Sequence, residues 1–121
     1  MTSVYSTMST VLSAITGTAI YSPENPNVAA VEDYPALRIQ RIDSGGEFLL
    51  SGTRFTHADR MQVNMVALTS ADLLSLVHQT ETLLDMNTKD FILSFPLGVM
   101  GEGQDTTPDL FAAHGDWLVI Y

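Results

Sequence analysis

The stretch RMQVNMVALTSADLLSLVHQTETLLDM, Arg60 to Met86, changes its hydrophobic period halfway along, and that change decides the fold. Met61, Val63, Met65 and Ala67 alternate with Gln62, Asn64, Val66 and Leu68, the period of two that gives a strand one apolar and one mixed side. Such a strand belongs inside a sheet. Thr69 and Ser70 then bring hydroxyls suited to cap a helix, and Asp72 follows Thr69 at the spacing of a capping box, where its carboxylate meets the positive helix end. From there Leu73, Leu76, Val77, Thr80, Leu83 and Leu84 fall three and four residues apart and share one stripe, while Ser75, His78, Gln79, Thr82 and Asp85 point elsewhere. The stripe needs an apolar surface, and the preceding strand offers a sheet.

Outward from this centre, Val4, Met8, Val11, Leu12 and Ile15 have helical spacing within Ser3 to Ile15, and Gly17 lies just past the end. The many hydroxyls of this segment are poor interior helix formers, so packing must hold the helix. Ala19 to Tyr21 reads as a short strand, Ser22 to Asn27 as a turn-rich connection, and Val28 to Asp33 as an acidic segment with room for a turn of helix. Pro35 favours an extended Tyr34, which opens a strand over Ala36 to Ile42. Asp43-Ser-Gly-Gly46 carries a strong turn signal and Glu47 to Ser51 a short return strand, so Asp43 to Asp59 reads as a long excursion between two strands. Past the long helix, Asn87 to Asp90 makes a turn and Phe91 to Phe95 a buried strand that Pro96 ends. Gly98 to Pro108 reads as a loop, Asp109 to Gly115 as a connection, and Trp117 to Tyr121 as a strand that must join the sheet.

The expected architecture is therefore α+β: a mainly antiparallel sheet with an N-terminal helix and one long helix packed on one face, in a single domain over residues 1–121. At 121 residues the chain can bury one core without staples. Only 16% of residues are charged against 45% hydrophobic, so Ser, Thr, Asn and Gln must cover much of the surface, as suits a protein mostly covered by neighbours. Without cysteine there are neither disulfides nor thiolate metal sites. No apolar run reaches the roughly 18 residues of a spanning helix, and no Lys or Arg precedes the first apolar residues, so a soluble, cytoplasmic chain is expected.

The net charge of −9 argues against a broad phosphate-binding surface. The bases are unevenly placed: Arg38, Arg41, Arg54 and Arg60 all fall in the central third, and Lys89 is the one lysine. They either form a local basic patch or pair with the acidic excess along the sheet.

Chemistry is sparse. Gly45-Gly46 has no Gly-Lys-Ser/Thr element after it, which removes nucleotide hydrolysis. His57 with Asp59 and His114 with Asp116 are the nearest approaches to metal-ligand spacing, and each is equally natural as a pair of surface polar residues. No serine lies in a nucleophile elbow, and Glu102, Asp105 and Asp109 share a stretch with little apolar surface to shift a pKa. The chain is expected not to be an enzyme and to need neither cofactor nor metal.

Three segments carry a family resemblance: Glu32-Asp-Tyr-Pro-Ala-Leu-Arg-Ile39, then Met61-Gln-Val-Asn-Met-Val-Ala-Leu68, then Ser70-Ala-Asp-Leu-Leu-Ser-Leu-Val77. With the order helix, aromatic-proline, strand, excursion, strand, hydroxyl cap and long helix, the chain resembles the tail-terminator (tail completion) proteins of long-tailed bacteriophages over roughly residues 3–86. Related neck proteins share much of the layout. The resemblance implies a structural virion protein, assembled in the host cytoplasm, that forms a hexameric ring in the tail neck. That ring caps the tail tube, stops its polymerisation and joins the tail to the head-side connector protein. DNA would pass through an acidic lumen without specific binding, and no membrane is involved. A cyclic ring needs two different patches per subunit. The excursion with Arg54 and the acidic loop Gly98 to Asp109 are candidates, and Arg38, Arg41, Glu47, Arg54 and Arg60 are the expected partner and subunit contacts. The alternatives are another phage neck or head–tail connector protein, a small enzyme or ligand-binding α+β domain using an acidic pocket with His57 or His114, or a generic interaction module of bacterial origin that forms no ring.

Overall fold

The computed structural model describes residues 3–24, 34–50, 53–104 and 110–121; for residues 43–50, 53–57 and 102–104 it describes the backbone. The elements run α1 (Val4–Leu12), β1 (Ala19–Tyr21), β2 (Ala36–Leu50), β3 (Thr53–Ala67), α2 (Ser70–Leu84), β4 (Leu93–Gln104) and β5 (Phe111–Ile120). The strands form one sheet in the order β1-β2-β3-β5-β4, with β1 parallel to β2 and every other neighbour antiparallel. This is the expected α+β class.

The period-two pattern of β3 is obeyed along its length. Met61, Val63, Met65 and Ala67 are fully buried, whereas Gln62, Asn64 and Val66 are half-buried on the other face. Across the ladder Leu37 meets Met65 and Ile39 meets Val63, so β2 turns the same parity inward, and Ala113, Trp117 and Val119 of β5 complete that face. Val4, Met8 and Leu12 of α1 and Leu73, Leu76, Val77 and Leu84 of α2 close over it in one core. At about 1.5–3 kcal/mol for each large apolar side chain removed from water, this layer is the main stabilising term.

Both helices are capped by hydroxyls. Ser3 Oγ accepts the Ser6 N–H and Thr69 Oγ1 accepts the Asp72 N–H, each at 3.1 Å; a cap of this kind stabilises by about 1 kcal/mol. In α1 the hydroxyls of Thr7 and Thr10 donate back to the carbonyls of Ser3 and Ser6, which settles its polar groups locally. After α2, Asn87 Oδ1 accepts from the N–H groups of Lys89 and Asp90, the side-chain-closed turn expected at Asn87 to Asp90.

Three expectations are corrected. Of the Asp43 to Asp59 excursion, residues 43–50 and 53–59 are not a loop between strands but the continuation of β2 and β3, paired from Asp43–Arg60 through Leu50–Thr53, and residues 51–52 lie outside the described residues. Gly45-Gly46 lies at a register shift between Ser44 and Glu47, because two glycines accommodate a bulge as readily as a turn. Pro96 does not end its strand: it sits on the edge strand β4 opposite Trp117, beside a register shift, where a missing N–H costs no ladder bond on the open side. Finally, residues 98–104 and 111–115 belong to β4 and β5 instead of a loop and a connection. Gly98 and Gly101 have φ of +113° and +72°, backbone that suits glycine and bends the edge near its second shift at Met100/Gly103. The segment Val28 to Asp33, as well as Asp105 and Asp109, lies outside the described residues.

Candidate interaction surfaces

With both helices on one side, the opposite face of the sheet is covered by no described helix. Its middle holds an ion pair. Gln62 and Asp116 face each other across β3 and β5, and Arg60 lies two residues from Gln62 on the same side. Asp116 Oδ2 accepts from Arg60 Nε at 2.9 Å and also from Arg60 Nη2, while Oδ1 accepts from Gln62 Nε2 at 3.2 Å. The carboxylate is 8% exposed and the Arg60 side chain 47%, so the acid is satisfied and buried while the guanidinium keeps a wet side.

The flanks of this face differ. Toward β2, Arg38 pairs in register with Asn64 and Gln40 with Gln62, giving a polar, exposed margin. Arg38 lines a small hollow of about 280 Å³ with Tyr21, Ser22 and Gln40. Toward β4, Phe95 stands opposite Leu118 and Met100 opposite His114, and Phe95, Leu97 and Met100 are exposed at 45%, 44% and 57%. Three large apolar side chains along one edge strand form a surface that a partner can cover.

A second polar cluster lies on the helix side, where β3 leaves the body of the sheet. Asp59 is 2% exposed, and its Oδ2 takes Arg41 Nε at 3.0 Å and the Tyr121 hydroxyl at 2.5 Å. Arg41 Nη2 reaches the Tyr121 oxygen at 3.5 Å, and its guanidinium carbon stands 5.7 Å from the centre of the Tyr5 ring. The Arg41 backbone N–H donates to Tyr5 Oη at 3.3 Å. Burial, together with the hydrogen bond to Asp59 and its charge, pushes the Tyr121 phenol up to about 12, with Arg41 opposing. Burial works against the Arg41 charge, yet Asp59 and the two tyrosines outweigh it and raise its pKa above the usual arginine value.

The expected contact residues thus separate. Arg41 and Arg60 are engaged within the chain by Asp59 and Asp116, the pairing alternative left open from sequence. Arg38 is exposed and pairs with no carboxylate among the described residues. Glu47 and Arg54 are carried on β2 and β3, and their side chains lie outside the described residues. Asp59, Asp116 and Tyr121 were not singled out as partners of these arginines. The available signal was a carboxylate inside an otherwise apolar strand, as at Asp116 before Trp117, since a buried charge requires a partner.

A groove of about 580 Å³ runs between the end of α1 and the α2–β4 connection, lined by Thr10, Val11, Leu83, Asp85 and Lys89 among others. Its carboxylates serve the fold: Asp85 Oδ1 accepts Trp117 Nε1–H at 2.7 Å, and Asp90 Oδ2 accepts Asn87 Nδ2–H at 3.0 Å. Among the described residues no group of three or more His, Asp or Glu is placed to hold a metal ion, and no helix is long and apolar enough to cross a membrane. Asp59 and Asp116, the acids of the two His–Asp pairs noted in the sequence, are both bonded to arginine. Compared with known proteins, the chain matches no protein-family model and no curated protein.

Proposed function

We propose that this chain is a structural subunit of a bacteriophage virion, one of a ring that caps the tail tube, stops its polymerisation and joins the tail to the head-side connector. The observation that carries the reading is a subunit with two unlike parts, set apart from the helix-covered core among the described residues. One is the β2–β3 ribbon, which continues past the last β3–β5 rung at Ala58–Ile120; the other is the sheet face that no described helix covers, with Phe95, Leu97 and Met100 at its margin. A ring of identical subunits requires two different surfaces on each subunit, and the ribbon and the sheet face differ in this way. The low charged fraction fits a subunit largely covered in its assembly, and the net charge of −9 fits a lumen through which DNA passes without sticking. The sixfold symmetry and the partners come from the family resemblance.

In this reading no bond is made or broken. One face of the ring copies the docking surface of the tube subunit and the other does not, so growth stops. Arg38 on the exposed margin, and Glu47 and Arg54 on the ribbon, are the contacts to acidic or basic partner surfaces; Arg41 and Arg60 hold the subunit's own acids and offer their wet sides.

The test is mass in solution by light scattering, with negative-stain images of the same fraction, followed by addition of tube subunit. A hexamer-sized particle with a central hole, or a chain that forms one on the tube and arrests its growth, supports the reading. Tube growth that continues uncapped in that mixture refutes it and leaves the connector role.

A further inference from the structure

We propose that Asp59, with Arg41, Tyr121 and Tyr5, forms a clamp that sets the direction in which the β2–β3 ribbon leaves the sheet. Four observations meet at this place. Among the described residues β1 pairs with β2 as far as Arg38 and β5 with β3 as far as Ala58, so beyond these points no third described strand accompanies the ribbon. A ribbon of two strands is marginal alone, and from Thr53 to His57 it reaches roughly 17 Å at a strand's rise per residue. The register of β2 against β3 shifts between Arg41 and Asp43, which puts a bulge, the usual source of a local bend, at the root of the ribbon. Asp59 and Arg41 flank that root from the two strands, and their side chains are joined across it at 3.0 Å.

The clamp ties the root to the rest of the fold on both sides. Tyr121, one residue past β5, donates to the same carboxylate oxygen, which links β3 to the adjoining strand. Tyr5 of α1 accepts the backbone N–H of Arg41, an edge donor that β1 stops short of, and its ring lies near the guanidinium. Strand, helix and neighbouring strand therefore converge on the residue before the bulge. A carboxylate this buried is costly unless its partners hold their places, so the geometry at the root is strongly determined, while beyond it β2 and β3 stay paired through two further register shifts. This inference rests on the subunit alone and is independent of the ring reading, because its test needs no partner.

The chain has no cysteine, so two can be introduced for spin labels without interference: Thr56→Cys on the ribbon and Ala71→Cys on the exposed first turn of α2. The distance distribution between the labels is then measured by pulsed electron resonance, with the labelled chain diluted in excess unlabelled chain so that only the pair within one chain is read, in the labelled parent and with Asp59→Asn, Tyr121→Phe or Asp85→Ala added. Asp85→Ala is the control, since it removes a half-buried carboxylate bond to Trp117 away from the root. The expected result is one narrow distance in the parent and in the control, a broadened and shifted distribution in Asp59→Asn, and a smaller change in Tyr121→Phe. Circular dichroism establishes that each variant is folded; should Asp59→Asn not fold, Tyr121→Phe decides. An unchanged distribution in the folded clamp variants, or equal broadening in the control, would overturn the proposal.

Discussion

Asp59 and Asp116 are both buried carboxylates on the central strand pair, and each is held by an arginine, yet they lie on opposite faces of the sheet. Asp59 points to the side closed by α1, with Tyr121 as its second donor; Asp116 points to the side no described helix covers, with Gln62 in that role. The arginines are similarly exposed, 42% for Arg41 and 47% for Arg60, so what differs is the surroundings of the acid. On the helix side the pair joins separate layers. On the open side it joins two neighbouring strands and keeps a polar centre in a face whose β4 margin is apolar. The same motif therefore fixes tertiary geometry in one place and tunes a surface in the other.

Removing each arginine tests that distinction most strongly. Arg41→Ala leaves Asp59 with Tyr121 alone beneath the helix layer and is expected to cost about 3 kcal/mol, the lower end for stranding a buried charge. Arg60→Ala leaves the buried Asp116 with Gln62 as its remaining partner on the face no described helix covers, for a smaller expected loss of about 2 kcal/mol. Urea unfolding of both variants measures the difference, and equal losses would erase the contrast between the faces.

A second contrast concerns packing. Trp117 lies on the helix side with its indole nitrogen bonded to Asp85, and a Cβ at Gly115 would sit 2.5 Å from its ring carbon Cη2. Gly115→Ala must displace a pinned ring in a closed layer, for an expected loss of about 2 kcal/mol with a changed near-ultraviolet tryptophan signal. Thr80 also faces this layer, fully buried, with no partner for its hydroxyl among the described residues. Thr80→Val is expected to raise stability by about 1 kcal/mol in the same urea measurement.

A further expected effect is on pH dependence. The Tyr121 phenol has its pKa raised from 10.0 to about 12 in the folded chain, so folding favours its protonated form. Its contribution to stability is complete below pH 10 and is lost as pH rises toward 12. Urea midpoints across that window should fall in the parent, with that part of the fall removed in Tyr121→Phe. A parent and variant with parallel midpoints would show that Asp59 does not hold the phenol.

Much of this was legible in local sequence and some was not, for reasons that differ by element. The α2 stripe and its Thr69 cap depend on residues within a turn or two of each other, so their spacing is sufficient. The burial of Met61, Val63 and Met65 follows from their alternation in the same way. Gly45-Gly46 and Pro96 misled because a local signal for turning or stopping is cancelled by position: glycines also fit a bulge in a long ladder, and proline is tolerated on an open edge. Among the candidate contacts, the crowding of arginines in the central third was visible, but Asp59 and Asp116 lie 18 residues or more from one partner each, Arg41 and Arg60 respectively, and nothing local joins them.

Periodicity and caps over neighbouring residues are enough to set the α+β class, the strand-to-helix switch at Thr69, and which faces of β3 and α2 turn inward. Only the assembled sheet shows that residues 43–50 and 53–59 form a ribbon continuous with it, that β4 lies at the edge beside β5, and which acid holds which arginine. Those outcomes depend on register and strand order, which are settled by how distant segments fit across a shared core.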